Sequence, residues 1–256
     1  MIVTFLGTGT SQGIPTFACE CEVCTSVDYR DKRLRTSLHL TIEGKSFVFD
    51  SGPDFRQQIL RERITKLDAL IFTHEHKDHT AGLDDVRGFN YKEGGKSMRV
   101  FGRITVLDTL RKEFSYAFTE HKYPGVPLID LIEIENAPFE IDGIKFTPIE
   151  VMHHKLPVFG YRIKDFTYIT DANFISETEL EKIKGTKVLV LNALRKEKHL
   201  SHFNLQEALE IIEKVQPEKA YLLHLSHQMG KHLQVEKSLP ANVHIAYDGL
   251  KLNLQS

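Results

Sequence analysis

The chain has 256 residues, enough for one large domain with a sizeable core or for two smaller ones. Its 33 Lys and Arg residues nearly balance its 35 Asp and Glu residues, and the formal net charge of -2 excludes a general electrostatic attraction to nucleic acid or to an anionic membrane. The 16 glycines and 9 prolines are scattered, and no linker, repeat or low-complexity segment interrupts the sequence. These features predict one domain spanning residues 1–256.

The apolar segment at residues 1–6 is too short for a signal peptide, and no apolar run approaches the length of a membrane span. We therefore expect a cytoplasmic protein without a membrane partner. The three cysteines are an odd number in a chain without a secretion signal, which favours reduced thiols over a disulfide framework.

A dense cluster of possible metal ligands lies at residues 73–79, which read THEHKDH. It follows the apolar run 69–72, so we predict a loop at the carboxyl end of a buried strand, where α/β sheets place their chemistry. Because alternate residues of an extended segment share a face, His74 and His76 can point at one metal ion while Asp78 and His79 face a second. A solvated charged loop does not account for three imidazoles and one carboxylate beside a buried strand.

Apolar periodicity predicts a chain in which strands and helices are mixed. The predicted strands are residues 2–6, 37–42, 46–49, 69–72, 98–101, 129–135, 139–141, 144–152, 166–170, 187–191 and 220–223. The predicted helices are residues 54–63, 106–118 and 204–215, with a short helix after residue 83.

Four further candidates follow predicted strands. His153 and His154 come after strand 144–152. Neighbouring strand residues point to opposite faces, so at most one of this pair joins a metal site, and the residues alone leave the choice open. Asp171 ends strand 166–170, where its carboxylate can bridge two ions or merely cap a helix, and His224 ends strand 220–223.

Two other features carry chemistry. Cys19, Cys21 and Cys24 lie within six residues, and three thiolates can face one tetrahedral zinc ion if a fourth ligand arrives from elsewhere. Reduced thiols on a loop are the alternative. His202 lies just before the predicted helix 204–215, which suits either a site residue or a helix cap.

The pattern His74-x-His76-x-Asp78-His79 resembles the signature of the metallo-β-lactamase-fold hydrolases. The resemblance implies the α/β (α+β) class, a four-layer αββα sandwich with a dinuclear metal site. It favours His153 over His154, makes Asp171 the bridging ligand and lets His224 complete the second site. Under this resemblance one ion is held by His74, His76, His153 and Asp171, and the other by Asp78, His79, His224 and Asp171.

The cysteines select a branch of this family. The chain resembles the cyclic phosphodiesterase (PhnP-like) branch associated with carbon-phosphorus lyase, in which three N-terminal cysteines and a histidine hold a structural zinc ion. In this chain that set is Cys19, Cys21, Cys24 and His227. In the phosphodiesterase and ribonuclease Z branches, a histidine at the position of His202 assists the leaving group, so Asp78 and His202 are the candidate catalytic residues.

We therefore expect two active-site ions, zinc or manganese, which make a shared water nucleophilic toward phosphorus, and one structural zinc ion. The expected reaction is hydrolysis of a small phosphodiester, with a cyclic phosphate such as phosphoribosyl cyclic phosphate as the favoured substrate. Three rivals stay open: a ribonuclease Z-like tRNA 3′-processing endonuclease, a thioesterase or lactonase, and a non-catalytic zinc-stabilised binding module. We do not expect a nucleic-acid partner, and the sequence leaves a homodimer open.

Overall fold

The structure is a computed structural model that describes residues 1–120 and 123–254. Within them the strands are β1 (Ile2–Gly7), β2 (Ser37–Ile42), β3 (Lys45–Phe49), β4 (Ala69–Ile71), β5 (Met98–Gly102), β6 (Ile129–Glu133), β7 (Phe139–Ile141), β8 (Ile144–His153), β9 (Leu156–Ile163), β10 (Phe166–Ile169), β11 (Phe174–Ile175), β12 (Val188–Asn192), β13 (Lys219–Leu223), β14 (Val243–Ile245) and β15 (Lys251–Asn253). The α-helices are α1 (Phe55–Glu62), α2 (Lys77–Thr80), α3 (Arg87–Lys92), α4 (Ile104–Glu113), α5 (Glu177–Ile183), α6 (Leu205–Val215) and α7 (His232–Glu236).

These elements belong to two compact units. Unit 1 comprises Met1–Gly7, Arg35–Glu135 and Gly249–Ser256, and unit 2 comprises Thr8–Leu34 and Asn136–Asp248. Each unit has its own sheet and its own apolar cluster. The expectation of one domain over residues 1–256 stays a prediction.

The sheet of unit 1 has the strand order β15-β1-β2-β3-β4-β5-β6. The predicted strands β2 and β3 form a hairpin, and its turn residues Glu43 and Gly44 both have positive φ, as tight hairpin turns require. Strands β3, β4, β5 and β6 pair in parallel. Because the carboxyl ends of parallel neighbours meet at one sheet edge, Asp50 after β3 and the 73–79 segment after β4 lie side by side.

The sheet of unit 2 has the order β11-β8-β9-β10-β12-β13-β14, with β7 paired to β8. Strands β10, β12, β13 and β14 pair in parallel. Three chain positions therefore share one edge of this sheet: Asp171 after β10, Asn192 at the end of β12 and His224 after β13.

Two local differences from the sequence predictions affect the site. The 73–79 segment is not a loop throughout, because the one-turn helix α2 begins at Lys77 and carries Asp78 and His79. Helix α6 is capped by Asn204, which accepts from the backbone of Glu207 at 2.8 Å while the Glu207 carboxylate accepts from Asn204 N at 3.0 Å. The cap interpretation of His202 is therefore wrong.

In the part of the chain that the structure describes, no helix combines the length and apolarity needed to cross a membrane.

Candidate metal centre

In unit 1 a fully buried carboxylate, Asp50, organises the histidine segment. Its Oδ1 accepts from the backbone N of Thr73 at 2.8 Å, and its Oδ2 accepts from Thr73 Oγ1 at 2.8 Å and from His79 Nδ1 at 2.7 Å. Burial raises the pKa of Asp50, and the neighbouring His79 opposes that rise. The carboxylate thus ties the end of β3 to the segment after β4.

These contacts select the tautomers of two histidines. Because Asp50 accepts from His79 Nδ1, the proton of His79 is on Nδ1 and its Nε2 keeps a lone pair. The Thr73 hydroxyl donates its one hydrogen bond to Asp50, so its oxygen acts as the acceptor toward His74 Nδ1 at 3.0 Å. His74 Nε2 then also keeps a lone pair, the form in which imidazole binds a metal.

The candidate ligands of unit 1 converge in two pairs. His74 Nε2 lies 3.0 Å from His76 Nδ1, and Asp78 Oδ2 lies 3.3 Å from His79 Nε2. Two ring nitrogens at that separation either share a proton or converge on one cation. The pairs are those that the spacing predicts.

In unit 2 the equivalent cluster lies at the shared strand edge. Single ligand atoms of His153, Asp171 and His202 all lie within 4.8 Å of one another. Asp171 Oδ1 is 3.1 Å from His224 Nδ1 and accepts from Thr170 Oγ1 at 2.6 Å. Four predicted site residues are therefore brought together within this unit.

His153 and His154 lie in different surroundings because β8 ends at His153. His153 is buried and its Nδ1 donates to the carbonyl oxygen of Ser201 at 2.8 Å, which leaves Nε2 with its lone pair. His154 is exposed, in the turn after β8. The choice that the residues left open therefore falls on His153 as the histidine inside the cluster.

His202 lies between other imidazoles. Its ring centroid is 4.6 Å from that of His153, 4.9 Å from that of His224 and 5.2 Å from that of His199. Burial lowers the pKa of His202 to about 3, although Asp171 acts in the opposite direction. Its Nδ1 is buried without a hydrogen-bond partner among the residues that the structure describes. The protein by itself thus favours a neutral imidazole with one polar atom left for a further contact.

The second cluster of unit 2 joins distant parts of the chain. His227 Nδ1 lies 3.2 Å from Cys19 Sγ, 3.3 Å from Cys21 Sγ and 3.6 Å from Cys24 Sγ. The backbone N–H of Cys24 donates to Cys21 Sγ and, with His227, lowers the pKa of Cys21 to about 6, whereas burial raises that of Cys24 to about 11. Three sulfurs and one nitrogen in this arrangement suit tetrahedral zinc.

Three residues of these clusters hold an unusual backbone conformation. Asp50, Asp171 and His224 have φ of 62°, 54° and 56°. A left-handed conformation is costly for residues other than glycine and persists where the surroundings impose it. At Asp171 the imposing group is Asn192, whose side chain accepts from Ala172 N at 2.8 Å and donates to Ala172 O at 2.9 Å.

Three groups that hold the candidate ligands in place were not predicted from the sequence: the side chains of Thr73 and Asn192 and the carbonyl of Ser201. Thr73 directly precedes the motif, which is a weak signal. Nothing in the local sequence marks Asn192 or Ser201.

Comparison with known proteins identifies the family of the chain. Residues 45–225 match the family described as the beta-lactamase superfamily domain. A Porphyromonas gingivalis protein named octanoyltransferase is 39% identical over 249 residues, covering 96% of this chain and 50% of that protein. Ribonuclease Z of Staphylococcus epidermidis is 30% identical over 172 residues, covering 64% of this chain and 49% of that protein. The chain thus spans about half the length of these curated relatives.

Two solved structures cover nearly the whole chain. A diphosphatase of the PhnP family has a TM-score of 0.93 at 36% identity and covers 99% of this chain and 98% of that one. Zinc-bound PqqB from Methylobacterium extorquens has a TM-score of 0.80 at 18% identity, covers 99% and 100% of the two chains, and shows the fold alone.

The chain belongs to the beta-lactamase superfamily, and the predicted α/β metallo-β-lactamase fold is confirmed. Within the superfamily it is PhnP-like, as the cysteine pattern predicts.

Proposed function

We propose that the chain is a metal-dependent hydrolase of a small phosphodiester, with cyclic phosphates as the favoured class. One observation carries the proposal: His74, His79 and His153 each have Nδ1 engaged by an acceptor, so each offers the Nε2 lone pair to a ligand. Hydrogen bonds that fix the tautomer and orientation of an imidazole in this way are typical of metal ligands and are not expected in a solvated loop.

The donors fit divalent ions. Imidazole nitrogens mixed with carboxylate oxygens suit zinc or manganese, and they do not favour a purely oxygen-seeking ion. When bound, two such ions would supply a nucleophilic water near neutral pH and neutralise charge on the phosphoryl oxygens. The residues proposed to hold them are His74, His76, His153 and Asp171 for one ion, and Asp78, His79, His224 and Asp171 for the other.

Other groups of the protein orient the proposed ligands and contact the departing oxygen. Asp50 and Thr73 fix the rings of His74 and His79, and the Ser201 carbonyl fixes the ring of His153. His202 is proposed to face the departing oxygen and, in its protonated form, to donate a proton to it, a role typically contributing about 10²- to 10⁴-fold in rate. Its buried Nδ1 without a described partner supports a contact with a bound molecule.

Cys19, Cys21, Cys24 and His227 are proposed to bind a third ion, which is structural. Four protein donors leave no open position for substrate, so this zinc ion would contribute to folding only.

A second candidate reaction is cleavage of a diphosphate bridge. It is favoured by the PhnP-family diphosphatase, which this chain resembles over 99% of its length. The attacked atom is again a phosphorus, and the leaving group becomes a phosphate ester in place of an alcohol.

The decisive experiment is an activity panel with metal analysis of the same sample. We expect hydrolysis of bis(p-nitrophenyl) phosphate and of a cyclic phosphate or a dinucleoside diphosphate. Cleavage of precursor tRNA alone would support the ribonuclease Z alternative, and turnover of an octanoyl thioester alone would support the thioesterase. Full function in His76→Ala and His202→Ala variants would indicate a non-catalytic module.

The adjacent histidines offer a matched pair of variants. His153→Ala should abolish hydrolysis and lower metal content, because it removes a proposed ligand. His154→Ala should do neither, since that side chain is exposed in the turn. Equal losses of hydrolysis and metal content in both variants would contradict the assignment of His153 as a ligand.

A further inference from the structure

Asn192 is a polar side chain in an apolar environment, at the end of β12. It is fully buried, and the strand residues before it, 188–191, are buried and apolar. A buried amide is costly unless its polar atoms are hydrogen-bonded. Both atoms bond to the same residue: Oδ1 accepts from Ala172 N at 2.8 Å, and Nδ2 donates to Ala172 O at 2.9 Å. The amide therefore fixes the peptide groups on both sides of Ala172.

The first of these peptide groups joins Ala172 to Asp171, the proposed bridging ligand. Its N–H is the group that donates to Asn192. Asp171 is buried and has a φ of 54°, a left-handed conformation that is unfavourable for a residue with a side chain. In this conformation Asp171 Oδ1 lies 3.1 Å from His224 Nδ1. Asn192 thus stabilises the conformation that brings the carboxylate to another proposed ligand.

The second peptide group leads to His202. The Ala172 carbonyl oxygen accepts from Asn192 Nδ2 and also from Phe203 N at 2.7 Å. A carbonyl oxygen has two lone pairs, so it can accept both bonds at once. Phe203 directly follows His202, whose ring centroid lies 4.6 Å from that of His153. The same side chain therefore fixes the acceptor that holds the backbone next to His202.

The position of β12 explains how one residue reaches both groups. Strand β12 pairs in parallel with β10 on one side and with β13 on the other, so its end lies between the strands that Asp171 and His224 follow. The next residue, Ala193, extends the arrangement, because its N donates at 3.0 Å to the carbonyl oxygen of Leu223, which directly precedes His224. The end of β12 is thus bonded beside proposed site residues on both neighbouring strands.

We propose that Asn192 is a positioning residue that sets Asp171 and His202 together, so that the bridging ligand and the leaving-group histidine depend on one amide. An amide is needed because Ala172 presents a donor and an acceptor, and only a side chain with a matching acceptor and donor can bond to both. Asn192 acts through the backbone of Ala172 and not by contact with substrate. The proposal rests on the proposed function and adds a residue to the same site.

Asn90 provides a matched control in unit 1. It is also a buried asparagine that bonds to both polar groups of one residue: Nδ2 donates to Leu128 O at 3.0 Å, and Oδ1 accepts from Leu128 N at 3.0 Å. Asn192→Ala and Asn90→Ala should therefore both lower Tm. Because loss of stability does not separate a positioning role from a structural one, the decisive quantity is metal affinity.

The first measurement is the affinity for Mn²⁺, with zinc loaded in the cysteine site and the free Mn²⁺ followed by its EPR signal. Asn192→Ala should weaken Mn²⁺ binding about 10- to 100-fold, the usual loss when a group that orients a metal ligand is removed. Asn90→Ala should leave the affinity unchanged. Asn192→Ser, in which one oxygen replaces two polar atoms, should fall between the two, and it takes the place of Asn192→Ala if that variant does not fold. Unchanged affinity in the Asn192 variants, or an equal loss in Asn90→Ala, would overturn the proposal.

The second measurement tests the link to His202. At saturating Mn²⁺, Asn192→Ala should lower kcat for bis(p-nitrophenyl) phosphate about 10- to 100-fold, with KM near that of the unmodified protein. In the His202→Ala background the same substitution should lower kcat less, because the side chain that it displaces is already absent. An equal loss in both backgrounds would refute the link between Asn192 and His202.

The Mn²⁺ measurement separates this proposal from the proposed function. If the unmodified protein binds Mn²⁺ but hydrolyses no phosphodiester, the phosphodiesterase proposal fails. The Mn²⁺ affinities of the Asn192 and Asn90 variants still decide whether Asn192 positions Asp171.

Discussion

Replacing Thr73 by valine tests whether the Asp50 network orients metal ligands. Thr73 is fully buried, and its hydroxyl both donates to Asp50 Oδ2 at 2.8 Å and lies 3.0 Å from His74 Nδ1. Valine keeps the branched shape but removes the oxygen. His74 Nδ1 then loses its acceptor, and the tautomer that exposes Nε2 is no longer selected.

Two magnitudes follow. A buried donor left without its partner costs about 1–3 kcal/mol of stability. At about 2–4 °C per kcal/mol for a domain of this size, Tm should fall by roughly 2–12 °C. Loss of a group that orients a metal ligand typically costs about 10- to 100-fold in metal affinity.

Thr167→Val is the matched control, because Thr167 is also fully buried and its hydroxyl pairs with Thr186 Oγ1 at 2.5 Å in unit 2. Both variants should lose stability in thermal unfolding of the metal-free proteins. Only Thr73→Val should lose metal affinity, measured by competition with a chromophoric chelator. If Thr73→Val binds metal as tightly as the unmodified protein, the Asp50 network is structural only and does not orient metal ligands.

Three further outcomes are expected. His202→Ala should lower kcat about 10²- to 10⁴-fold with metal content near that of the unmodified protein, and loss of the metals would contradict its leaving-group role. Cys21→Ser should lower Tm and reduce bound zinc by one equivalent while activity per folded molecule changes little; selective inactivity at unchanged Tm would count against a structural zinc site. Asn204→Ala should destabilise the protein by about 1 kcal/mol in urea unfolding because α6 loses its capping box, and an unchanged midpoint would show that the cap contributes nothing.

The local parts of the fold were predictable because each depends on residues close in sequence. The β2–β3 hairpin follows from alternating apolar residues around Glu43 and Gly44, and the strand before the histidines follows from a short apolar run. Strand β9 and helix α5 were not predicted. The buried faces of β9 and α5 depend on packing within unit 2, so the local sequence pattern indicates these two elements only weakly.

The same distinction holds for the candidate site. Pairing of His74 with His76, and of Asp78 with His79, is short-range and could be expected from spacing alone. The start of α2 at Lys77 was not expected, since four residues are too few to show helical periodicity.

The sequence by itself determined which residues could act as ligands, the short-range clusters they form and the family they indicate. The resemblance to the family implied that His227 joins the cysteines, and the tertiary structure brings its Nδ1 to 3.2 Å from Cys19 Sγ across 208 residues. Only the tertiary structure decided that the Ser201 carbonyl selects the tautomer of His153. The reason is physical: the parallel register of β10, β12 and β13 places chain positions far apart in sequence at one sheet edge. Register depends on side-chain packing across the whole sheet, which no local stretch of sequence contains.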